Sequence, residues 1–152
     1  MIHDPSTRPG YLAWQFGQAA AQRLEKALRP LDLNLAQLRC LTQVALSPGI
    51  SSAEVARRAG LTAQSMGAAV TILINRNLVT RSPHPTNGRI LELRLTDTGL
   101  TLATQAQETV EDAQQEMFAV LSAEEQDTVR SLLHRLLRHN FPQALPADPD
   151  KD

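Results

Sequence analysis

The stretch that decides the fold is residues 51–96, SSAEVARRAGLTAQSMGAAVTILINRNLVTRSPHPTNGRILELRLT. At its start, Ser51 and Glu54 have the spacing of a capping box, in which the two side chains each bond a backbone N–H group at the beginning of a helix. This pattern predicts a short helix from about Ser52 to Ala59. Gly60 then supplies a turn.

A second helix follows the turn, and Thr62 is its predicted N-cap. Its apolar residues recur at helical spacing, which indicates a buried stripe. The stripe consists of Met66, Ala69, Val70, Leu73 and Ile74. Asn77 stands where helices often end in the left-handed conformation, which asparagine tolerates better than most residues.

A β hairpin completes the stretch. Residues 78–82 are predicted to form one strand. Residues 90–96 are predicted to form the other, because Leu91, Leu93 and Leu95 alternate with residues that face the opposite way. Residues 83–88 between them include two prolines, an asparagine and a glycine, a composition typical of a turn-rich loop.

Helices are predicted on both sides of this stretch. Residues 11–28 place apolar side chains at every fourth position, and Pro30 ends that helix. Asn34 and Gln37 are predicted to cap the next one. That helix is expected to turn four residues inward, namely Leu38, Leu41, Val44 and Ala45.

Two further helices are predicted after the hairpin. The first is long and polar and runs from Asp97 to about Leu121. Ser122 and Glu125 then form another capping-box pattern, which opens a last helix. The apolar face of this last helix consists of Val129, Leu132, Leu133, Leu136 and Leu137.

Charge is distributed unevenly along the chain. The net charge is −1, but residues 33–96 hold seven arginines against two glutamates, a local charge of +5, so the remainder carries −6. Such asymmetry indicates that one part faces a polyanion, although helices with ordinary solvated faces would also produce charged patches. A helix presented by a tight turn fits the major groove of DNA, and a basic hairpin beside it can reach the backbone or the minor groove.

The predicted fold class is therefore mainly α with a small two- to three-stranded β wing, a winged helix-turn-helix with terminal dimerisation helices. Residues 31–96 form the predicted DNA-binding lobe, and residues 10–30 and 97–140 the helical dimerisation region. Two copies related by a two-fold axis would match a palindromic site on double-stranded DNA. Residues 141–152 are rich in proline and aspartate and are predicted to be a disordered tail.

Other classes of protein lack support in the sequence. The single cysteine, Cys40, excludes an internal disulfide and a cysteine-rich zinc site. No apolar run approaches the ~20 residues that span a bilayer, and the N-terminus lacks a signal-type apolar stretch, so we expect a cytoplasmic protein without membrane contact. We find no nucleophile paired with a base, no phosphate-binding glycine loop and no metal-ligand spacing, and we therefore expect no enzyme activity, cofactor or metal.

Three segments resemble the MarR family of bacterial transcriptional regulators, and the likeness covers about residues 10–140. They are LTAQSMG in the second helix, L-x-x-R-N-L-V-x-R from Leu73 to Arg81, and L-x-L-T-x-x-G from Leu93 to Gly99. The resemblance implies a homodimeric repressor whose first, fifth and sixth helices form the dimer contact. It also implies release from DNA by a small, often aromatic effector that enters a cleft between these helices and the DNA-binding lobe.

Candidate DNA contacts follow from the predicted helix and wing. Gln64 and Ser65 lie in the first turn of the second helix, where side chains reach base edges. Arg89 is expected to enter the minor groove from the wing tip. The remaining candidates on the helix, the strand and the wing are Thr62, Ala68, Thr71, Arg57, Arg81 and Asn87. The alternative for each of these candidates is an ordinary surface residue that does not contact DNA.

The wing tip departs from the family pattern. The family commonly has Asp-x-Arg there, whereas this chain has Asn87-Gly88-Arg89. Asn87 accepts a hydrogen bond but cannot form the ion pair that an aspartate forms, which puts the rigidity of the wing in question.

The effector site and the response to it are open to alternatives. Tyr11, Trp14 and Arg39 are candidate pocket residues, but Tyr11 and Trp14 equally suit a dimer contact. Cys40 is interpreted as a buried apolar residue, with a cysteine redox-sensing regulator as the alternative. A protein-interaction adaptor with weak DNA binding is a further alternative, because residues 62–75 contain no lysine or arginine.

Overall fold

The computed structural model describes residues 4–145. The helices in this range are α1 (Pro9–Leu28), α2 (Leu35–Leu46), α3 (Ser52–Ala59), α4 (Ala63–Asn75), α5 (Asp97–Phe118) and α6 (Ala123–Asn140). Strands β1 (Val79–Pro83) and β2 (Leu91–Leu95) pair antiparallel, with Val79 opposite Leu95. The predicted fold class is confirmed, and the wing follows directly on the second helix of the helix-turn-helix.

Helix α2 forms the centre of the DNA-binding lobe, since it packs against α3, α4, α5 and β2. The core around it is aliphatic and closely filled. Its largest fully buried side chains are Leu28, Leu41, Val44, Val55, Met66, Val70, Leu73, Val79 and Leu93. Burying a side chain of this size stabilises a fold by about 1.5–3 kcal/mol, so the orientation of α4 is fixed by its inner face.

Within residues 4–145 the sheet has two strands, and one additional bridge extends it. Ser51, just before α3, forms an isolated antiparallel bridge with Glu92 of β2. Beside it, the Gly49 N–H group donates to the Leu93 carbonyl and the Leu93 N–H group donates to the Ile50 carbonyl. These bonds join the wing to the start of α3, so the wing and the helix-turn-helix are one structural unit.

Most predicted helix caps are confirmed. Asn34 with Gln37, and Ser122 with Glu125, form complete capping boxes. The box predicted at Ser51 is wrong in its second half. Ser51 accepts a bond from the Glu54 N–H group as expected, but the Glu54 carboxylate binds Arg57 and Arg58 instead of the Ser51 backbone. Charge-assisted bonds to two guanidinium groups are stronger than one bond to a neutral amide.

The joint between the wing and α5 depends on Thr96 and Gly99. Thr96 caps α5 by accepting a bond from the Gly99 N–H group, and its hydroxyl donates to the Asn77 carbonyl. A Cβ atom on Gly99 would lie 1.9 Å from the Leu78 carbonyl oxygen. Only glycine therefore lets α5 approach Leu78, the residue before β1, this closely, which accounts for the T-x-x-G ending of the third family segment.

Some predicted inward faces are wrong. Ala45 is exposed, whereas Gln37 and Cys40 are buried in α2, because the core-facing stripe of this helix runs through positions 37, 40, 41 and 44, with the spacing of three and four that keeps residues on one face. Leu91 is also exposed, since it pairs with Pro83 at the loop end of the hairpin, away from the buried Val79 and Leu93.

The first residues of the predicted tail have regular structure. Pro142–Ala144 form a short 3-10 helix next to α3, and the ring of Phe141 lies against Gly60, where an added Cβ atom would be 3.1 Å from Cζ. The Phe141 ring is half-buried in this contact with the turn. The rest of the predicted tail, from residue 146, lies outside the described residues.

The terminal helices leave large apolar side chains uncovered. Trp14 is 59% exposed, Leu136 is 59% exposed and Val120 is 86% exposed. Within residues 4–145, α6 has no buried residue at all. None of the helices in this range is long and apolar enough to cross a membrane. The division of the chain into a lobe and a dimerisation region stays a prediction, and these exposed faces agree with it.

Candidate nucleic-acid interface

The turn between α3 and α4 sets the direction in which α4 leaves the lobe. Gly60 ends α3 in the left-handed conformation with φ of 64°, and its N–H group bonds the Ala56 and Arg57 carbonyls. Thr62 then caps α4 by accepting a bond from the Ser65 N–H group at 3.1 Å. The bonds of Gly60 fix the chain before α4, and the Thr62 cap fixes its first turn. The side chains of that turn therefore point in defined directions.

The outer face of α4 is polar, small and uncharged. Gln64, Ser65, Ala68 and Thr71 are all exposed, as the sequence predicts. Ser65 accepts a bond from the Thr62 hydroxyl at 3.0 Å, and Thr71 donates back to the Gly67 carbonyl at 3.0 Å. Within residues 4–145 the Gln64 amide has no hydrogen-bond partner. It is the side chain on this face whose donors and acceptor are all available to a ligand.

The arginines of α3 are partly committed to an internal ion pair. Arg57 forms a two-pronged pair with Glu54, and Arg58 bonds Glu54 and the Ser47 hydroxyl. Bonds from Arg57 and then Arg58 lower the pKa of the Glu54 carboxyl to about 2. Arg57 is still 57% exposed, so its outer N–H groups can reach a phosphate. The sequence did not reveal that this cation already has a partner.

The wing presents two arginines without carboxylate partners. Arg81 on β1 and Arg89 in the loop are exposed, and within the described part of the chain neither guanidinium has a bonding partner. Asn87 accepts a bond from the Arg89 N–H group at 3.3 Å, so its side chain shapes the loop tip. Arg94, by contrast, pairs with Glu92 at 3.1 Å.

His84 is a wing residue that sequence reasoning missed. Its ring Nδ1 atom lies 3.2 Å from the N–H groups of both Thr86 and Asn87. The ring Nε2 atom faces Glu92 at 3.7 Å. Asn87 is therefore not the only residue that ties the loop together. A histidine at the end of a strand, with a turn directly after it, is a weak signal that was present in the sequence.

Comparison with known proteins agrees with this geometry. A model of the MarR family matches residues 31–90. The HTH-type transcriptional repressor Rv2887 of Mycobacterium tuberculosis is 35% identical over 127 residues, which cover 84% of this chain and 91% of that protein.

The chain belongs to the MarR family.

Crystal structures of the same relative extend the comparison to three dimensions. The structure of Rv2887 in complex with DNA has a TM-score of 0.73 at 33% identity and covers 84% of this chain and 96% of that one. The structure of Rv2887 with salicylic acid has a TM-score of 0.72 at 35% identity, covering 84% of this chain and 95% of that one. This MarR-family protein is accordingly a DNA-binding, winged helix-turn-helix transcriptional regulator.

The candidate effector residues of this MarR-family chain do not form one cluster. Tyr11 and Trp14 neighbour each other on α1, with ring centroids 6.3 Å apart, and the Tyr11 hydroxyl accepts a bond from Gln15. Arg39 is on α2, where it donates to the carbonyl of Ala59 at the end of α3. Within residues 4–145 no hydrogen bond or ring contact joins Arg39 to the α1 pair. Their role in effector binding stays a prediction.

A groove between α1 and α5 was not foreseen from the sequence. It is lined by Phe16, Arg23, Lys26, Asp112, Glu116 and Met117, among others. Arg23 forms an ion pair with Glu116 across it. The cations of this groove are thus balanced by carboxylates, and the groove suits a protein contact better than a small anion.

Cys40 is a core residue, as predicted. Its side chain is fully buried in α2, and burial raises the pKa of the thiol to about 12. A thiol of this kind does not form the thiolate that oxidation requires. The redox-sensing alternative therefore has no support in the geometry.

Residues 4–145 also contain no cluster of three or more histidine, cysteine or acidic side chains that could hold a metal ion.

Proposed function

We propose that this protein is a homodimeric repressor that binds a palindromic operator, with α4 in the major groove and the wing in the adjacent minor groove. The observation that carries the proposal is the position of Gln64 and Arg89. Gln64 is exposed in the first turn of α4 and Arg89 is exposed in the wing loop. Within residues 4–145 neither side chain has a hydrogen-bond partner. They belong to a lobe in which residues 33–96 carry a charge of +5.

Gln64 and Arg89 would contribute differently to DNA binding. Glutamine can bond adenine through its N6 and N7 atoms, which discriminates against another base by about 1–3 kcal/mol. An arginine in a narrow minor groove responds to the negative potential there more than to base identity. Gln64 would therefore set the preferred sequence, and Arg89 would add affinity that depends on groove width. Arg57 and Arg81 would meet phosphates, which position the lobe without reading sequence.

Dimerisation would use the exposed faces of α1, α5 and α6. Large apolar side chains that cluster on exposed helices commonly mark a protein contact. The exposed residues on α1 and α6 that a second copy would cover are Leu12, Trp14, Phe16, Leu132, Leu133, Leu136 and Leu137. A two-fold axis through this contact would set two copies of α4 about 34 Å apart, one turn of DNA.

A small aromatic acid is the effector class that we propose. Support comes from the relative Rv2887, whose structures include complexes with salicylic acid and with DNA. In this chain the candidates are the Tyr11 and Trp14 rings for an aromatic body and the Arg39 guanidinium for a carboxylate. Because these groups do not meet in the described chain, the pocket would form only where the terminal helices of the dimer approach the lobe.

Two variants and one control test the DNA-binding proposal. The operator is first selected from random DNA, and affinity is then followed by fluorescence anisotropy over a range of salt. Arg89→Ala should weaken binding to all sequences and reduce the salt slope by about one. Gln64→Ala should relax the preference at one position in each half-site. Arg130→Ala removes the same charge from α6, where Arg130 pairs with Asp127, and should leave both properties unchanged.

The outcomes separate the proposal from its alternative. Equal salt slopes for Arg89→Ala and Arg130→Ala would remove the wing from the interface. Failure of the wild-type protein to select any sequence would instead favour a protein-interaction adaptor, the function suggested by the absence of lysine and arginine from residues 63–75.

A further inference from the structure

The wing loop, residues 84–90, is folded around one imidazole ring. The Nδ1 atom of His84 lies 3.2 Å from the Thr86 N–H group, 3.2 Å from the Thr86 hydroxyl and 3.2 Å from the Asn87 N–H group. Backbone N–H groups can only donate, so Nδ1 must act as the acceptor and carry no proton. The ring is therefore neutral in this geometry, with its proton on Nε2, which faces the Glu92 carboxylate at 3.7 Å.

We propose that His84 is a positioning residue for DNA binding, whose neutral ring holds the wing in the shape that presents Arg89. This inference rests on the proposed function, because it assumes that the wing meets DNA. His84 would not touch the nucleic acid itself. It would act through the loop backbone, and its effect would depend on its protonation state.

A chain of hydrogen bonds connects the ring to Arg89. His84 accepts the Asn87 N–H group, and the Asn87 side chain in turn accepts the Arg89 N–H group at 3.3 Å. Two backbone bonds close the loop where it joins the strands. The His84 N–H group donates to the Ile90 carbonyl, and the Ile90 N–H group donates to the Asn87 carbonyl. Removal of the ring would leave only the Asn87 side chain and these closing bonds to direct Arg89.

Protonation of the ring should loosen the loop. A proton on Nδ1 would turn the acceptor into a donor, and both backbone N–H groups would lose their partner. The charged groups that face the ring are the Glu92 carboxylate and, behind it, the Arg94 guanidinium bonded to the other Glu92 oxygen. Nε2 already faces Glu92 in the neutral form, so protonation gains only the attraction of a part-exposed pair, which is worth little.

The predicted sign is opposite to that of an ordinary phosphate contact. A histidine that touches phosphate binds DNA more tightly when it is protonated, because it adds positive charge. His84 acting as an acceptor would instead make binding weaker as the pH falls. The loop itself contains one charged residue, Arg89, which keeps its charge throughout this range.

The experiment compares three variants of the full-length protein on the selected operator. His84→Ala removes the acceptor. His84→Asn replaces it, because the amide oxygen of asparagine occupies about the position of Nδ1 but does not titrate. His134→Asn is the control, since His134 lies exposed on α6. Affinity is measured by anisotropy at constant ionic strength between about pH 5.5 and 8, the range in which histidine changes charge.

We expect His84→Ala to weaken binding about three- to tenfold at the upper end of this range, the factor that one to two net hydrogen bonds supply. His84→Asn should bind like the wild type there and should lose the pH dependence that wild type and His134→Asn share. Tighter wild-type binding at low pH, absent in His84→Asn, would overturn the proposal and make His84 a phosphate contact. Identical affinity and pH profile in all proteins would also overturn it.

A measurement without DNA keeps the inference separate from the proposed function. The ¹⁵N chemical shifts of the His84 ring should show an unprotonated Nδ1 and a protonated Nε2 at neutral pH. In His84→Ala the amide signals of Thr86, Asn87 and Arg89 should move, whereas His84→Asn should restore them. A ring protonated on Nδ1, or unmoved amide signals in His84→Ala, would refute the positioning role even if the wild-type protein bound no DNA.

Discussion

Replacing Gly99 with alanine places a methyl group against the backbone of Leu78, the residue before β1. The new Cβ atom would lie 1.9 Å from the Leu78 carbonyl oxygen and 2.8 Å from its carbon. Both atoms belong to the main chain, so no side-chain rotation can relieve the contact. Since carbon and oxygen atoms need more than 3 Å, the start of α5 would have to move away from Leu78 by about 1 Å or more.

The cost follows from what that movement disturbs. Overpacking of a filled site costs about 1–3 kcal/mol. The movement also stretches two bonds of Thr96, from its hydroxyl to the Asn77 carbonyl at 2.8 Å and from its N–H group to the Leu78 carbonyl at 3.1 Å, each worth about 1 kcal/mol. Alanine recovers about 1 kcal/mol through its higher helix propensity. We therefore expect a net loss of about 3 kcal/mol in the free energy of unfolding.

Urea unfolding followed by circular dichroism measures this loss. The variants must be compared at equal protein concentration, because the stability of a dimer depends on it. Gly67→Ala is the matched control, since Gly67 is also helical but has no atom within 4 Å of an added Cβ, and it should gain up to about 1 kcal/mol. If Gly99→Ala unfolds at the same midpoint as the wild type, the close approach of α5 to Leu78 is not a constraint and the reasoning is refuted.

Two further predictions concern titratable groups. Cys40 should resist a thiol reagent such as DTNB at neutral pH until the protein unfolds, because burial raises the pKa of its thiol to about 12; stoichiometric reaction of the native protein would contradict this. Glu54, with its pKa lowered from 4.5 to about 2 by Arg57 and Arg58, contributes stability that is complete above the unfolded pKa and is lost as the pH falls through the folded one. Glu54→Gln should therefore flatten the decline in the urea midpoint between about pH 4.5 and 2, and an unchanged decline would count against the ion pair.

Local features of this fold were predictable because they depend on a few neighbouring residues. Asn34 and Gln37 form a capping box at a fixed separation of three, and Asn77 adopts φ of 56° as its position after α4 suggests. Thr62 caps α4 for the same reason. Each outcome follows from the reach of a short side chain to its own backbone. The order of these elements then limits the topology to few choices.

Features that depend on competition or distance were not predictable. Glu54 had two possible partners, the Ser51 backbone and the arginines, and sequence spacing does not rank them. Phe141 packs on Gly60 across more than half of the chain, and no local pattern indicates that contact. His84 and Asn87 are both possible acceptors for N–H groups of the wing loop, and sequence spacing does not show that both are used.

The arrangement of charge separates two properties of the proposed interface. Residues 63–75 of α4 contain no lysine or arginine, whereas the cations assigned to the interface, Arg57, Arg81 and Arg89, lie on α3, β1 and the wing. Attraction to phosphate does not depend on sequence, so Arg57 and Arg81 would raise the affinity for operator and non-operator DNA alike. Discrimination must then come from neutral groups such as Gln64. A change in wing shape, such as the one proposed for His84, would consequently alter the affinity for every site, most strongly where the minor groove is narrow, and leave the base preference set by Gln64 unchanged.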